Sequence, residues 1–353
     1  MRPDKIQFSI EKKHDCQVFF LKNNIMDALT NVIKPNLMGQ ASNRSFWVVD
    51  KVIQQLYPTL FNDLEMPILS LRGGENAKTL ANVEQIVEFL QKNQCQRYDS
   101  LMVIGGGCLG DVAGFAASIY KRGIPWFFLP TTLLSQVDSS IGGKVAINTA
   151  YGKNQLGAFW PAQQVYITDI FLETLDARQV KAGMAEIIKI APFSKGTLLQ
   201  LLGAPEVPKI LTLVEGAIRA KLEVIGNDWY EAKGGTRIGL NFGHTIGHAL
   251  EKTAPELLHG EAVALGMLIE LQLAQRLGEK TIPLEVIEKL LIKFSLPTQF
   301  HHYVNKDRWS LFLEALLQDK KNEVNHIIFV VPGPEGKVKK LEINLLHLKS
   351  ILF

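Results

Sequence analysis

Three of the eight histidines fall within sixteen residues. His244 and His248 stand four apart in Asn241-Phe242-Gly243-His244-Thr245-Ile246-Gly247-His248, which puts both imidazoles on one helical face, and His259 follows in Leu258-His259-Gly260-Glu261. A single histidine on an apolar helix is usually a satisfied core residue. A cluster this dense has borderline-metal ligand character and lacks only a carboxylate. Glu186 offers one, in Ala182-Gly183-Met184-Ala185-Glu186-Ile187-Ile188-Lys189. Its neighbours are apolar, so an unpaired charge there is costly, and coordination to a divalent ion removes the cost.

Gly105-Gly106-Gly107-Cys108-Leu109-Gly110-Asp111 follows a predicted strand and opens a predicted helix, with GxGxxG spacing at Gly105, Gly107 and Gly110. Glycines there let the backbone approach a pyrophosphate, and a helix N-terminus supplies oriented N–H donors. A tight strand-to-helix turn accounts for the same glycines, and no acid follows at about 20 residues to hold a ribose. Asp50, at the end of an earlier strand, could do so instead. A second glycine turn, Arg72-Gly73-Gly74-Glu75-Asn76-Ala77-Lys78, brings a carboxylate and an ammonium to the same edge. Further polar groups stand beside glycines or in apolar stretches: Asp138, Lys144, Asn148, Lys153, Asn154, Lys189, Lys221, Arg237 and Asn241. Any one of these lysines alone reads as a solvated surface residue. Their recurrence points to a pocket for a substrate with two anionic groups, since lysines and forked arginines hold phosphate and carboxylate.

Positioning such groups needs a scaffold, and the patterning predicts one. Apolar runs at Phe46–Val49, Pro67–Leu71, Leu101–Ile104, Trp126–Leu129 and Val165–Thr168, with a helix over Leu80–Lys92 between the second and third, indicate βαβ units and a parallel sheet. After Leu172 three- and four-residue apolar spacing predicts helices over Ala182–Ile190, Pro208–Ile225, Gly243–Lys252, Glu261–Leu277 and Leu284–Phe294, with one late strand at His326–Val331. The expected fold is α/β + α: a Rossmann-like parallel-sheet dinucleotide-binding domain over 1–175, then an all-α metal- and substrate-binding domain over 176–353, the two sharing a cleft.

A chain of 353 residues with 47% hydrophobic content can bury two cores. Its net charge of +3 comes from 38 basic and 35 acidic residues without a long run of one sign, which argues against a nucleic-acid arm or a membrane-surface patch. Cys16, Cys95 and Cys108 are odd in number and lack CxxC spacing, so neither a disulfide framework nor a thiolate zinc site is expected. With no signal-peptide pattern and no uncharged apolar run of about 18 residues, a soluble cytoplasmic protein is expected.

From about Asp50 to Asn322 the motifs together resemble the 3-dehydroquinate synthase family, within the group that includes sugar-phosphate cyclases and metal-dependent polyol dehydrogenases. The resemblance rests on the GGE turn with Lys78, GGGCLGD, Tyr120-Lys121-Arg122-Gly123, Pro130-Thr131-Thr132-Leu133-Leu134, VDSSIGGK, GKN, AGMAEIIK, LNFGHTIGHALE, LLHGE and Asp319-Lys320-Lys321. It implies a homodimer that uses catalytic NAD and Zn2+ (or Co2+), with Glu186, His244 and His259 as metal ligands. It implies NAD contacts at Asp50, Glu75, Lys78, Gly105, Gly106, Gly107, Asp111, Thr131, Thr132, Lys144, Lys153 and Thr174. Asp138, Lys144, Asn154, Lys189, Lys221, Arg237, Asn241, His248 and Lys320 match substrate-pocket positions, of which Lys144, Lys189, Asn241 and His248, with Glu231, are the catalytic group. Arg122 matches an arginine given across the dimer interface. The implied reaction converts 3-deoxy-D-arabino-heptulosonate 7-phosphate to 3-dehydroquinate and phosphate.

Two departures qualify the match. The segment before Arg237 is two residues longer than the family's DExEGGLR, with Glu231 chosen over Lys233 as the pocket acid. Ile190-Ala191-Pro192-Phe193 replaces the commoner tyrosine-glycine continuation after Lys189. These keep a cyclase of sedoheptulose 7-phosphate as an alternative, with a metal-dependent polyol dehydrogenase as another. Arg237, which the former relatives generally lose, favours the sugar acid.

Overall fold

The computed structural model describes residues 15–21, 25–29, 33, 44–62, 64–226, 228–232, 234–305, 307–317, 326–344 and 348. Strands β1 (Gln17–Phe20), β2 (Ser45–Asp50), β3 (Ile68–Leu71), β4 (Ser100–Gly105), β5 (Trp126–Pro130) and β8 (Gln164–Ile167) form one sheet in the order β1-β8-β5-β4-β2-β3, every pairing parallel. A parallel sheet is covered on both faces, which is why its strands read as unbroken apolar runs. Alternation sends Phe46, Val48, Leu101, Val103 and Phe128 into one core, and Trp47, Val49, Met102, Ile104, Phe127 and Leu129 into the other. After α1 (Ile25–Ala28) and α2 (Lys51–Leu56), helices α3 (Leu80–Lys92) and α4 (Gly107–Ile119) pack on the first of these faces. The chain turns outward from β2 to β3, then starts again at β4 on β2's other side. The C-terminal ends of β2 and β4 therefore flank the crevice where doubly wound sheets bind ligands.

From Ala177 onward the chain is mainly helical: α5 (Ala177–Ile190), α6 (Thr197–Gly203), α7 (Ile210–Ile225), α8 (His244–Thr253), α9 (His259–Arg276), α10 (Leu284–Lys293) and α11 (Trp309–Leu317). It is not all-α, because β9 (His326–Pro332) pairs antiparallel with β10 (Val338–Asn344). Patterning missed β10 because Lys339, Lys340 and Glu342 interrupt it and only Leu341 and Ile343 are buried. A second unforeseen hairpin, β6 (Lys144–Thr149) with β7 (Gly152–Phe159), lies against α4 at Gly114, where an added Cβ would meet Val145 Cγ1 at 2.6 Å. The core of the first sheet face continues without a break through Leu133 and Val137 to Met184, Ile187 and the helices beyond. No helix among the described residues is long and apolar enough to cross a membrane.

Candidate active site

Three helices meet at Glu186, His244 and His259. On α5, every residue from Ala182 to Ile190 is buried, and Glu186 is 2% exposed. Helix α8 starts at His244 because Gly243 (φ 76°) turns the chain into it, a backbone angle that favours glycine. Helix α9 starts at His259 and lies unusually close to both others. Its Gly260 rests on the Ala182 carbonyl and its Gly266 on the Gly243 carbonyl, leaving no room for a Cβ at either. One ligand atom from each of the three residues falls within 4.8 Å of the others. Glu186 Oε1 lies 3.9 Å from His244 Nε2 and 3.6 Å from His259 Nε2.

The donor set fits a divalent cation. Both Glu186 oxygens are buried and, among the described residues, neither accepts an aligned hydrogen bond, although Lys189 Nζ stands in ion-pair contact. His244 Nδ1–H donates to the Phe242 carbonyl at 3.2 Å, leaving Nε2 free to ligate. Burial alone would raise the Glu186 carboxyl, but Lys189 and the two imidazoles outweigh it and hold the group well below the carboxylate range. Burial, reinforced by Lys189, keeps His244 neutral. Burial would also lower His259, yet Glu186 and Glu251 overcome it and lift this imidazole to about 10. His248 stands aside from the trio, half-buried, with its ring centroid 5.3 Å from that of His244 and 6.4 Å from that of His259.

At the sheet crevice, β4 ends at Gly105 and α4 begins at Gly107 with no side-chain cap on its N–H groups. Asp50 caps the following short helix, accepting from Val52 N at 3.0 Å, and its carboxylate packs against Gly73. Thr131 N donates to the Gly105 carbonyl at 2.9 Å, and Thr132 Cγ2 lies 3.3 Å from where a Gly106 Cβ would stand. Lys78, 4% exposed, donates to Asp111 Oδ2 at 2.5 Å and to Asn154 Oδ1. Burial raises the Asp111 carboxyl to about 6 in spite of that lysine. Glu75 accepts from Asn148 Nδ2 at 2.7 Å, and Asn148 Oδ1 accepts from Asn154 N at 2.9 Å, so β6 and β7 close one side of the crevice.

Between crevice and trio lie the buried cations. Lys221 donates to the carbonyl of Asp138 at 2.6 Å and to its carboxylate. Burial would raise Asp138, but Lys221 and Lys189 draw it down to about 2. Arg237, 3% exposed, donates to the Trp229 carbonyl at 2.5 Å and the Gly142 carbonyl at 3.0 Å, with its guanidinium 5.6 Å from the Phe159 ring centroid. Its Nε is buried and has no hydrogen-bond partner among the described residues. The longer loop before Arg237 thus supplies both an acceptor for that arginine and Glu231, which pairs with the exposed Lys144.

Not every expected residue joins this group. Thr174 is exposed and bonded to Tyr57 Oη at 2.9 Å. Arg122 is exposed at the end of α4 farthest from Gly107, about 20 Å along the helix. Among the described residues the Asn241 side chain makes no hydrogen bond, and Lys320 lies outside the described residues. Two acids went unread. Glu251, whose Oε1 lies 3.4 Å from His259 Nδ1, sits seven residues after His244 and so shares its helical face, a signal that was available. Glu270 is fully buried on α9 and accepts from Gly243 N at 2.7 Å, fixing the start of the His244 helix. By sequence it looks like Glu186.

Comparison with known proteins agrees with this geometry. Residues 68–182 match the 3-dehydroquinate synthase N-terminal family model and residues 183–322 the C-terminal one. The chain is 42% identical to the 3-dehydroquinate synthase of Methylacidiphilum infernorum over 293 residues, 80% of each protein. It is 41% identical to that of Helicobacter pylori strain HPAG1 over 277 residues, 77% of this chain and 79% of the relative. Among solved structures it resembles the 2-epi-5-epi-valiolone synthase ValA of Streptomyces hygroscopicus with NAD+ and Zn2+ bound (TM-score 0.80, 27% identity, 99% and 98% of the chains). A 2-deoxy-scyllo-inosose synthase with carbaglucose-6-phosphate, NAD+ and Co2+ is similar too (TM-score 0.79, 26% identity, 95% of each). A probable glycerol dehydrogenase from Sinorhizobium meliloti shares the fold at 18% identity (TM-score 0.60, 87% and 90% of the chains).

Proposed function

The chain belongs to the 3-dehydroquinate synthase family, and from that premise we infer that it converts 3-deoxy-D-arabino-heptulosonate 7-phosphate to 3-dehydroquinate and phosphate, using NAD and a divalent metal. The observation that carries this reading is the pairing of the Glu186–His244–His259 trio with the buried cations Lys221 and Arg237, which a polyol dehydrogenase has no use for. When bound, the metal supplies Lewis acidity at a substrate hydroxyl and NAD supplies a reversible hydride acceptor.

The protein's own side chains do the rest by holding and orienting. Glu186, His244 and His259 hold the metal. Asp50, Glu75, Lys78, the glycines 105 to 107, Asp111, Thr131, Thr132 and Lys153 hold the dinucleotide at the sheet crevice. Lys221 and Arg237 clamp the substrate carboxylate, and fixing orientation in this way is worth several kcal/mol of barrier. Lys144, Asn154, Lys320 and Arg122 of a second copy balance the phosphate. His248 and Asn241 orient it so that one of its own oxygens takes the neighbouring carbon's proton as the C–O bond breaks. Asp138 and Lys189 keep charge neutral beside the metal, and Glu231 holds Lys144. We read the chain as a cytoplasmic homodimer with a domain boundary near residue 175.

Incubation of the purified protein with the sugar acid phosphate, NAD and Zn2+ or Co2+ tests this. Equimolar phosphate and 3-dehydroquinate should appear, with no net NADH and with loss of both products on chelation. The longer loop and the ValA likeness favour a second reading, cyclisation of sedoheptulose 7-phosphate. Turnover of that sugar in place of the sugar acid would establish it, and NADH accumulating with a polyol would mark a dehydrogenase.

A further inference from the structure

Glu251 lies on α8 three residues after His248, its side chain 17% exposed. One carboxylate oxygen, Oε1, faces two partners: His259 Nδ1 at 3.4 Å and Lys153 Nζ at 3.6 Å. The first partner is a ligand of the trio. A carboxylate that accepts from Nδ1–H leaves Nε2 as the free ligand nitrogen and fixes the ring's rotation, as outer carboxylates do for metal-bound histidines. The second partner belongs to β7. Its neighbour Asn154 takes a left-handed backbone (φ 56°), accepts from Lys78 Nζ, and donates from its backbone N to Asn148 Oδ1 at 2.9 Å. Lys78 in turn donates to Asp111 on the glycine-loop helix at 2.5 Å. A single oxygen therefore joins the ring that holds the metal to the hairpin that walls the dinucleotide crevice.

We propose that Glu251 is a positioning residue that couples the metal centre to the dinucleotide crevice, its carboxylate ordering His259 for the metal and Lys153 for the cofactor together. The proposal rests on reading Glu186, His244 and His259 as the metal site. A metal that orders the Glu251–His259 contact also settles the position of Lys153, so each ligand tightens the other. By linkage the two factors are equal, in the range of about 5- to 150-fold.

Metal affinity from competition with a chromophoric chelator, and NAD affinity from calorimetry, each with and without the other ligand, test the coupling in the full-length protein. The wild type should show one coupling factor from both directions. Glu251→Ala should weaken Zn2+ or Co2+ binding about 10- to 100-fold, alter the visible spectrum of bound Co2+, and bring the coupling factor to about one. Lys153→Met, a change on the exposed face of the hairpin, should abolish the coupling while leaving metal affinity without NAD and the Co2+ spectrum unchanged. The coupling factor is a ratio, so a direct loss of NAD affinity in this variant cancels from it. Wild-type metal affinity in folded Glu251→Ala, or an undiminished coupling factor in either variant, overturns the proposal. A wild type that binds no metal overturns the metal-site reading along with it.

Discussion

Glu186 is a carboxylate with no solvent, a lysine ammonium on one oxygen and two imidazole nitrogens facing the other. Glu186→Gln keeps the shape and removes the charge, which strips the metal of its anionic ligand and leaves Lys189 without its partner. Breaking a buried pair on one side costs about 3–5 kcal/mol. Zinc content by mass spectrometry should fall from one per chain to near zero, and turnover by at least about a thousandfold, equivalent to about 4 kcal/mol of barrier. Arg237 makes a separate prediction. Its guanidinium is buried over Phe159 and its Nε has no partner among the described residues, so a substrate carboxylate is a natural partner. Arg237→Met should lower kcat/KM for the sugar acid by about 2–4 kcal/mol while metal and NAD affinities stay unchanged in direct binding assays. Equal turnover by that variant would refute the clamp.

At the scale of elements, α9 sets the geometry of the trio through two glycines, and this is where sequence and structure part company. A Cβ on Gly260 would fall on the Ala182 carbonyl, one turn from Glu186, so Gly260→Ala must push α9 off α5 and carry His259 with it. Overpacking of this kind costs about 1–3 kcal/mol. The variant should melt several degrees lower in calorimetry and bind Zn2+ more weakly. Gly203→Ala, at a helical site with nothing within 4 Å, should be neutral or slightly stabilising. The trio itself was legible because His244 and His248 fall one turn apart and Glu186 stands alone among apolar residues. Five of the six parallel strands were legible as apolar runs; β1 was not, because it is four residues long with Gln17 exposed and the other three only partly buried. The β6–β7 hairpin was not: most of β7 is exposed and supplies no buried face, and its lysines and asparagines read as loop chemistry. Glu251 escaped because it looks like an ordinary solvated acid on an amphipathic helix. Glu270 shows the limit of the rule that found Glu186, since an acid in an apolar run serves as well to cap a helix as to bind an ion.

At the scale of the whole molecule, the crevice between β2 and β4, the buried cations and the trio are carried on elements that share one core, which passes without interruption from sheet to helices. Arg122 is absent from this set. It occupies a turn in which Lys121 (φ 47°), Arg122 (φ 64°) and Gly123 (φ 109°) all have left-handed backbone, and two non-glycine residues there carry strain of about 1–3 kcal/mol each. The turn is held in place by Tyr120 Oη donating to the Cys95 carbonyl at 3.1 Å and by Trp160 packed on Gly123. Structure that maintains a strained, solvent-facing arginine is accounted for if that arginine serves the site of a second copy. Mixed dimers make this measurable. When Arg122→Ala and Glu186→Gln chains are co-expressed in equal amount, half of the dimers contain one of each. In those dimers the site on the Arg122→Ala chain has an intact trio and receives Arg122 from its neighbour, while the other site lacks both. Two variants that are each inactive alone should therefore recover about a quarter of wild-type activity, the fraction set by twofold symmetry and random pairing. No recovery, with mixed dimers verified by differently tagged subunits, would place Arg122 in the service of its own chain.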